Sequence, residues 1–208
     1  MKHKNLLGFF AKYPEPGKVK TRLAEHIGFE KAAFFCRRIS EYVLKRTAPS
    51  DSTYLRIVFY TPDEMRKEFA EWLPCEILQA QKGPDIGERM DNALKEMFDR
   101  GAEKAIVVGA DIPGLNREII DNAFEKLDCA DIVLGPALDG GYYLIGMKSP
   151  HPEVFRNITW STGEVLNETL FRIKKAGLSY STVVTLFDVD GPEDLLKTEK
   201  IMKDTEGT

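Results

Sequence analysis

The 208 residues predict an α/β fold, one domain built on a mainly parallel sheet, and three observations carry that expectation. Short apolar runs alternate with amphipathic ones from end to end. The best of the runs, Ile106-Val107-Val108, stays apolar without alternation, as in a strand covered on both faces. The stretches between runs carry apolar residues at helical spacing. Strand, helix and strand in series require right-handed crossovers and a doubly wound layer.

Taken along the chain, LLGFFA (6–11) reads as the first strand, and Ala32, Phe35, Ile39 and Val43 then recur as one face of a crossover helix. YLRIVFY (54–60) reads as a second strand. Met90, Leu94 and Met97 mark another helix, followed by the buried strand AIVVGA (105–110). Asn116 has the chemistry of an N-cap for a helix to about Leu127, and DIVLG (131–135) is the next strand. In GPALDGGYYLIGMK (135–148), Asp139-Gly140-Gly141 has turn chemistry, and the apolar run after it leaves no room for a helix. An antiparallel insertion or hairpin at that edge of the sheet is expected. Leu166, Leu170 and Ile173 mark a helix whose start carries Ser161 and Glu164 at capping-box spacing, with Trp160 and Val165 placed for a hydrophobic staple. Asp190 or Gly191 is placed to cap a last helix that has Pro192 in its first turn. No repeat, low-complexity tract or linker divides the chain, so residues 1–208 read as a single domain.

Composition narrows the function classes. With 43% hydrophobic and 30% charged residues the chain is an ordinary folded, soluble protein. A net charge of −4 argues against nucleic acid or an anionic membrane as partner, so any anion site must be local. Cys36, Cys75 and Cys129 are scattered and odd in number, which gives no disulfide framework or CxxC motif and fits a reducing cytoplasm. His3, His26 and His151 form no zinc spacing. No stretch approaches the length of a membrane span.

Two positions stand directly after strands, where open α/β sheets bind ligands. The first is AKYPEPGKVKTRLA (11–24). Pro14, Pro16 and Gly17 impose a turn that delivers Lys18, Lys20, Thr21 and Arg22, and with Lys12 this places four cations within eleven residues of an acidic protein. A solvated loop is one reading; the other is a di- or triphosphate held between the cations, with Lys20 and Arg22 on one face of an extended segment. No Walker A loop or GxGxxG is present. The second position is Asp111, in VVGADIPGL. It reads either as a turn aspartate or as one carboxylate of a Mg²⁺ site. Asp188 and Asp190, two apart in FDVDGPEDL, can complete a metal site with Asp111 or serve as helix caps. Asp139, Gly140, Gly141 and Tyr142 form a hairpin turn through which a backbone can approach a sugar or acceptor hydroxyl. Gln81, Gly87 and Arg89 precede or open a helix, where free N–H groups suit an anion or nucleobase edge.

Six ordered segments, FAKYPEPGKVKTRL, QKGPDIGERM, GADIPGL, GPALDGGYYLIG, ITWST and DVDGPEDL, resemble the small radical-SAM/selenodomain-associated transferases, which are similar to the 2-phospho-lactate and molybdenum-cofactor guanylyltransferases. The resemblance runs nearly end to end. It implies the GT-A, or nucleotide-diphospho-sugar transferase, fold: a Rossmann-like three-layer sandwich. Mg²⁺ or Mn²⁺ would lie between the phosphates and Asp111, Asp188 and Asp190. Lys12, Gly17, Lys20, Thr21, Arg22, Gln81, Gly87 and Arg89 would serve the nucleotide. Asp139, Gly140, Gly141, Tyr142, Trp160, Ser161 and Thr162 would serve a small-molecule acceptor. Lys20, Arg22, Asp111 and Asp139 would carry the chemistry. Glycosyl transfer from a nucleoside-diphosphate sugar is the reading the resemblance favours. Nucleotidyl transfer with release of pyrophosphate is its rival, and a silent nucleotide-binding module is a more distant one.

Overall fold

Each central strand presents apolar side chains to two faces, so each needs a helical layer on both sides. The computed structural model describes residues 4–50 and 53–206; His3 lies outside them. The strands are β1 (Asn5–Lys12), β2 (Leu55–Thr61), β3 (Ile77–Ala80), β4 (Lys104–Gly109), β5 (Ile132–Pro136), β6 (Tyr142–Met147) and β7 (Tyr180–Thr182). The helices are α1 (Thr21–Ile27), α2 (Phe29–Arg46), α3 (Arg66–Trp72), α4 (Ile86–Asp99), α5 (Arg117–Lys126), α6 (Val165–Lys175) and α7 (Pro192–Glu206). Among the described residues, no helix is long and apolar enough to cross a membrane.

The strands form one sheet in the order β3-β2-β1-β4-β6-β5-β7. On one face, Leu7 and Phe9 of β1 and Ile106 and Val108 of β4 pack with apolar residues of α2, α5 and α7. On the other, Leu6, Phe10, Ala105 and Val107 pack with Met90, Leu94 and Met97 of α4 and Ile173 of α6. The result is the expected three-layer α/β/α arrangement. β6 runs antiparallel to both β4 and β5, and every other pairing is parallel. The expected hairpin therefore exists, but its returning strand is not at an edge. It is inserted between two parallel strands, because β6 is apolar enough to be buried on both faces.

Three local expectations change. The segment carrying Lys20 and Arg22 is not extended: Lys20 has left-handed backbone angles, φ 45° and ψ 48°, and Thr21 begins α1. The Ser161/Glu164 capping box does not form, since Ser161 has φ 65° and helix α6 starts only at Val165. Glu168 instead reaches back to accept from the Thr159 N–H and hydroxyl. The Trp160 ring, offered to a staple, packs against Tyr142 and over Gly87. Ahead of α7 it is Asp194, not Asp190, that accepts from the backbone, taking the N–H groups of Asp190 and Gly191. Asn116 caps α5 as expected, accepting from the Ile119 N–H at 3.0 Å.

Candidate active site

β1 and β4 are neighbours whose carboxyl ends point the same way, with the chain leaving β1 for β2 on one side and entering β4 on the other. Beyond those ends lies a cavity of about 630 Å³. Its lining joins segments far apart in sequence: Lys20 and Arg22, Asp111, Asp139, and Asp188 with Asp190. The Tyr142, Trp160, Ser161 and Thr162 side of the cavity completes the polar wall. Phe10, Ile86, Met90, Ile145 and Val165 give it an apolar side that the sequence reading missed. A larger hollow of about 720 Å³ lies elsewhere, lined by residues such as Arg38, Arg46 and Arg117. Among the described residues, none from a strand lines it, and none of these aspartates does.

Lys20 is the best-buried charge of the site. Only 11% of its side chain is exposed, and its ammonium donates to Asp111 Oδ2 at 2.6 Å and to the Val189 carbonyl. Burial alone pulls its pKa down, but the charge and hydrogen bond of Asp111 outweigh that, and the net shift is upward. The left-handed turn at Lys20 aims its side chain inward while α1 carries Arg22 to the rim. Arg22 is 79% exposed and donates through Nη1 to Asp190 Oδ2 at 2.5 Å. Lys20 and Arg22 thus each meet a carboxylate from elsewhere in the chain. Beneath Lys20 lies Cys36, whose thiol is pushed up by burial.

The aspartates divide into two kinds. Asp188 is held above the usual carboxylate range by burial and then by the charges of Asp111 and Asp139, against the pull of Lys20. Asp139 Oδ1 accepts from the Gly141 N–H at 2.8 Å, which closes the turn between β5 and β6 while the residue lines the cavity. Gly140 has φ 88°, and a Cβ there would stand 2.1 Å from the Gly163 carbonyl oxygen. Only glycine fits that approach, which ties the Asp139 turn to the segment carrying Ser161 and Thr162. The compact metal set expected from Asp111, Asp188 and Asp190 is not assembled: among the described residues, no three His, Cys, Asp or Glu side chains stand together as a metal-holding group. Lys20 engages Asp111, and Arg22 draws Asp190 aside.

Several expected nucleotide residues stand outside the cavity lining. Lys12 donates to the Lys18 carbonyl, closing the turn that contains Gly17 at φ 77°. Thr21 is exposed at the start of α1. Gln81 donates to the Phe59 carbonyl at 2.8 Å, and Arg89 donates to the Gly83 carbonyl at 2.9 Å. Gly87 serves the site indirectly. A Cβ there would lie 2.3 Å from the Trp160 ring, so its bareness lets Trp160 stand as a wall.

Comparison with known proteins agrees with this architecture. A family described as "Uncharacterized protein conserved in bacteria (DUF2064)" matches residues 44–162. A 2-phospho-L-lactate guanylyltransferase of Methanocaldococcus jannaschii is 25% identical over 181 residues, spanning 85% of this chain and 75% of that protein. A crystal structure from Desulfovibrio desulfuricans, described as a candidate nucleotide-diphospho-sugar transferase, superposes with a TM-score of 0.88 at 33% identity, covering 98% of this chain and 96% of that one. CMP:2-keto-3-deoxy-manno-octonic acid synthetase, solved with CTP, shares the fold with a TM-score of 0.62 at 12% identity over 97% of this chain and 99% of that one.

Proposed function

The chain belongs to the DUF2064 family, and from that premise we propose that it is a nucleotidyltransferase, acting on a nucleoside triphosphate and a small-molecule acceptor. That it is a transferase rests on its named relatives. The observation that carries the finer reading is the convergence of Lys20 and Arg22 with Asp111, Asp139 and Asp188 on one cavity at the sheet's switch point. Lys20 spends two of its three N–H donors on the protein and keeps one for a phosphate oxygen. Arg22, exposed at the rim, is placed for the leaving end of the triphosphate, where a planar cation serves well. An acceptor hydroxyl held by the Asp139 turn attacks the α-phosphorus. The new P–O bond forms as the bond to the β-phosphate oxygen breaks, the hydroxyl proton passes to Asp139, and pyrophosphate leaves against Lys20 and Arg22.

The donor set fits a hard divalent cation. Mg²⁺ or Mn²⁺ takes one or two carboxylates from a protein and fills its remaining positions from phosphates and water. Asp111 and Asp188 would hold it, and the crowding of Asp188 by two other carboxylates is the kind of repulsion such an ion relieves. When bound, it would neutralise phosphate charge.

The 33% identical relative described as a candidate nucleotide-diphospho-sugar transferase favours a second reading, glycosyl transfer with a nucleoside diphosphate as leaving group. The two readings separate by product. Purified protein with Mg²⁺ or Mn²⁺ and a metabolite extract as acceptor source is expected to release pyrophosphate from one nucleoside triphosphate. Release of nucleoside diphosphate from a nucleotide sugar, with triphosphates inert, would replace the first reading by the second.

A further inference from the structure

Arg37 and Arg38 are neighbours in α2 with different company. Arg37 stacks over Trp72 at 5.2 Å and donates to Glu41 at 2.9 Å. Arg38 lines the hollow of about 720 Å³ together with Lys45, Arg46 and, from α5, Arg117. Among the described residues, none of these four cations has a carboxylate at ion-pair distance. Two carboxylates share the lining, and both are accounted for: Glu41 accepts from Arg37 and from the Trp72 indole N–H at 2.7 Å, and Glu118 lies in the first turn of α5, where an acid suits the positive end of a helix. Asp121, one turn along α5, feels the charge of Arg117 but is not part of the lining. Helix ends explain only half of the cations. Lys45 and Arg46 fall in the last turn of α2, where positive charge is favoured. Arg38 stands in the middle of that helix, and Arg117 opens α5, at the end where a cation is disfavoured.

We propose that this hollow is a second binding site, separate from the candidate active site, for a compact polyanion: a small molecule carrying clustered phosphates. Like charges facing one space repel, and an anion between them turns the repulsion into attraction. Three of the four cations are arginines, whose planar fork grips a phosphate through two parallel hydrogen bonds where a lysine offers a point charge. The volume lies within the range of small-ligand pockets, about 300–1,000 Å³, and Tyr42 and Met202, both buried, give the lining an apolar part. A net charge of −4 disfavours an extended polyanion such as nucleic acid, which would meet the rest of the acidic surface; a small one meets only the hollow. The two cavities have no lining residue in common. The hollow can therefore fill while the other cavity is empty, and its role stands whatever reaction the candidate active site performs.

The test uses inorganic tripolyphosphate on the whole protein, in EDTA. Amide exchange is expected to slow in residues 38–48 and 116–118, around the hollow, and titration calorimetry to give an affinity that falls as salt is raised. Arg38→Gln and Arg117→Gln should each weaken binding about threefold to fivefold, and the double variant about tenfold or more, the size that exposed charge contacts support. Arg117→Lys, which keeps the charge, should retain more of the affinity than Arg117→Gln. Arg22→Ala, in the other cavity, should leave the slowing at the hollow unchanged. ATP in place of tripolyphosphate separates the sources of the phosphates: tighter binding with the same slowing assigns them to a nucleotide, and equal or weaker binding assigns them to a free oligophosphate. No slowing at the hollow, or binding that the double variant leaves unchanged, overturns the site. A short single-stranded RNA that binds more tightly than tripolyphosphate, and loses that binding in the double variant, overturns it in favour of a macromolecular surface. Arg38 and Arg117 are both exposed on helices, and a melting temperature close to the parent's certifies each variant as folded.

Discussion

Lys20 is where sequence and structure meet most informatively at the scale of one residue. As one of several cations in a basic loop it looked like a charge in search of an anion. In the fold it already has one, in Asp111, and a carbonyl besides. Removing one partner of a largely buried pair leaves the other uncompensated, so Lys20→Met or Asp111→Asn alone is expected to cost stability, about 1–3 kcal/mol once the partial exposure of Asp111 is allowed for. The double variant should cost less than the two singles together, as urea unfolding of all four proteins would reveal; strict additivity would mean the pair is not coupled. What the sequence shows here is the presence of the charges near strand ends. Their pairing was hidden, because it depends on a left-handed Lys20 that no propensity favours and on segments some 90 and 170 residues away. The same limit explains Gln81 and Arg89: polar residues at a helix start look alike whether they face a ligand or tie down a carbonyl.

Among the secondary elements, the long apolar runs and the Asn116 cap were legible because burial and capping are local requirements. β3 and β7 were not. They have four and three residues, lie at the sheet's two edges and are only partly buried, so no periodic signal distinguishes them from loop. β7 is joined to the body through Asp131, which accepts from the Ser179 hydroxyl at 2.6 Å and its N–H at 2.9 Å. These bonds, with Lys148 nearby, hold Asp131 down to a pKa of about 2. A depressed carboxylate contributes stability that is full above its unfolded pKa of 3.8 and is lost as pH falls from there toward about 2. Asp131→Asn should therefore melt at a lower temperature than the parent at neutral pH, with the gap closing as pH is lowered across that window. A gap independent of pH would mean the carboxylate's charge plays no part in the clasp.

Over the whole molecule, a chain with net charge −4 brings Lys20 and Arg22 to one cavity. The candidate site draws on the first loop, the end of β4, the turn between β5 and β6, the segment before α6 and the segment before α7, five regions that only the closed fold brings together. Ligand binding should knit them. With a nucleoside triphosphate and Mn²⁺ present, the melting temperature is expected to rise, and amide exchange to slow in residues 18–22 and 187–192 together. Slowing confined to residues 38–48 and 116–118, around the larger hollow, would relocate the binding site.

The reversed strand between β4 and β5 has a consequence for how such proteins diversify. Its parallel neighbours finish at the rim where it starts, so the five-residue reversal from Ala137 to Gly141 is clamped at both ends by the sheet and pinned by backbone hydrogen bonds to Leu186 and Leu166, while the Leu138 side chain at its tip stands 73% exposed. Lengthening or recolouring that tip would alter which acceptor is welcomed while leaving Lys20 and Asp111 on the far side undisturbed. Relatives that share one donor chemistry can in this way come to serve unlike second substrates.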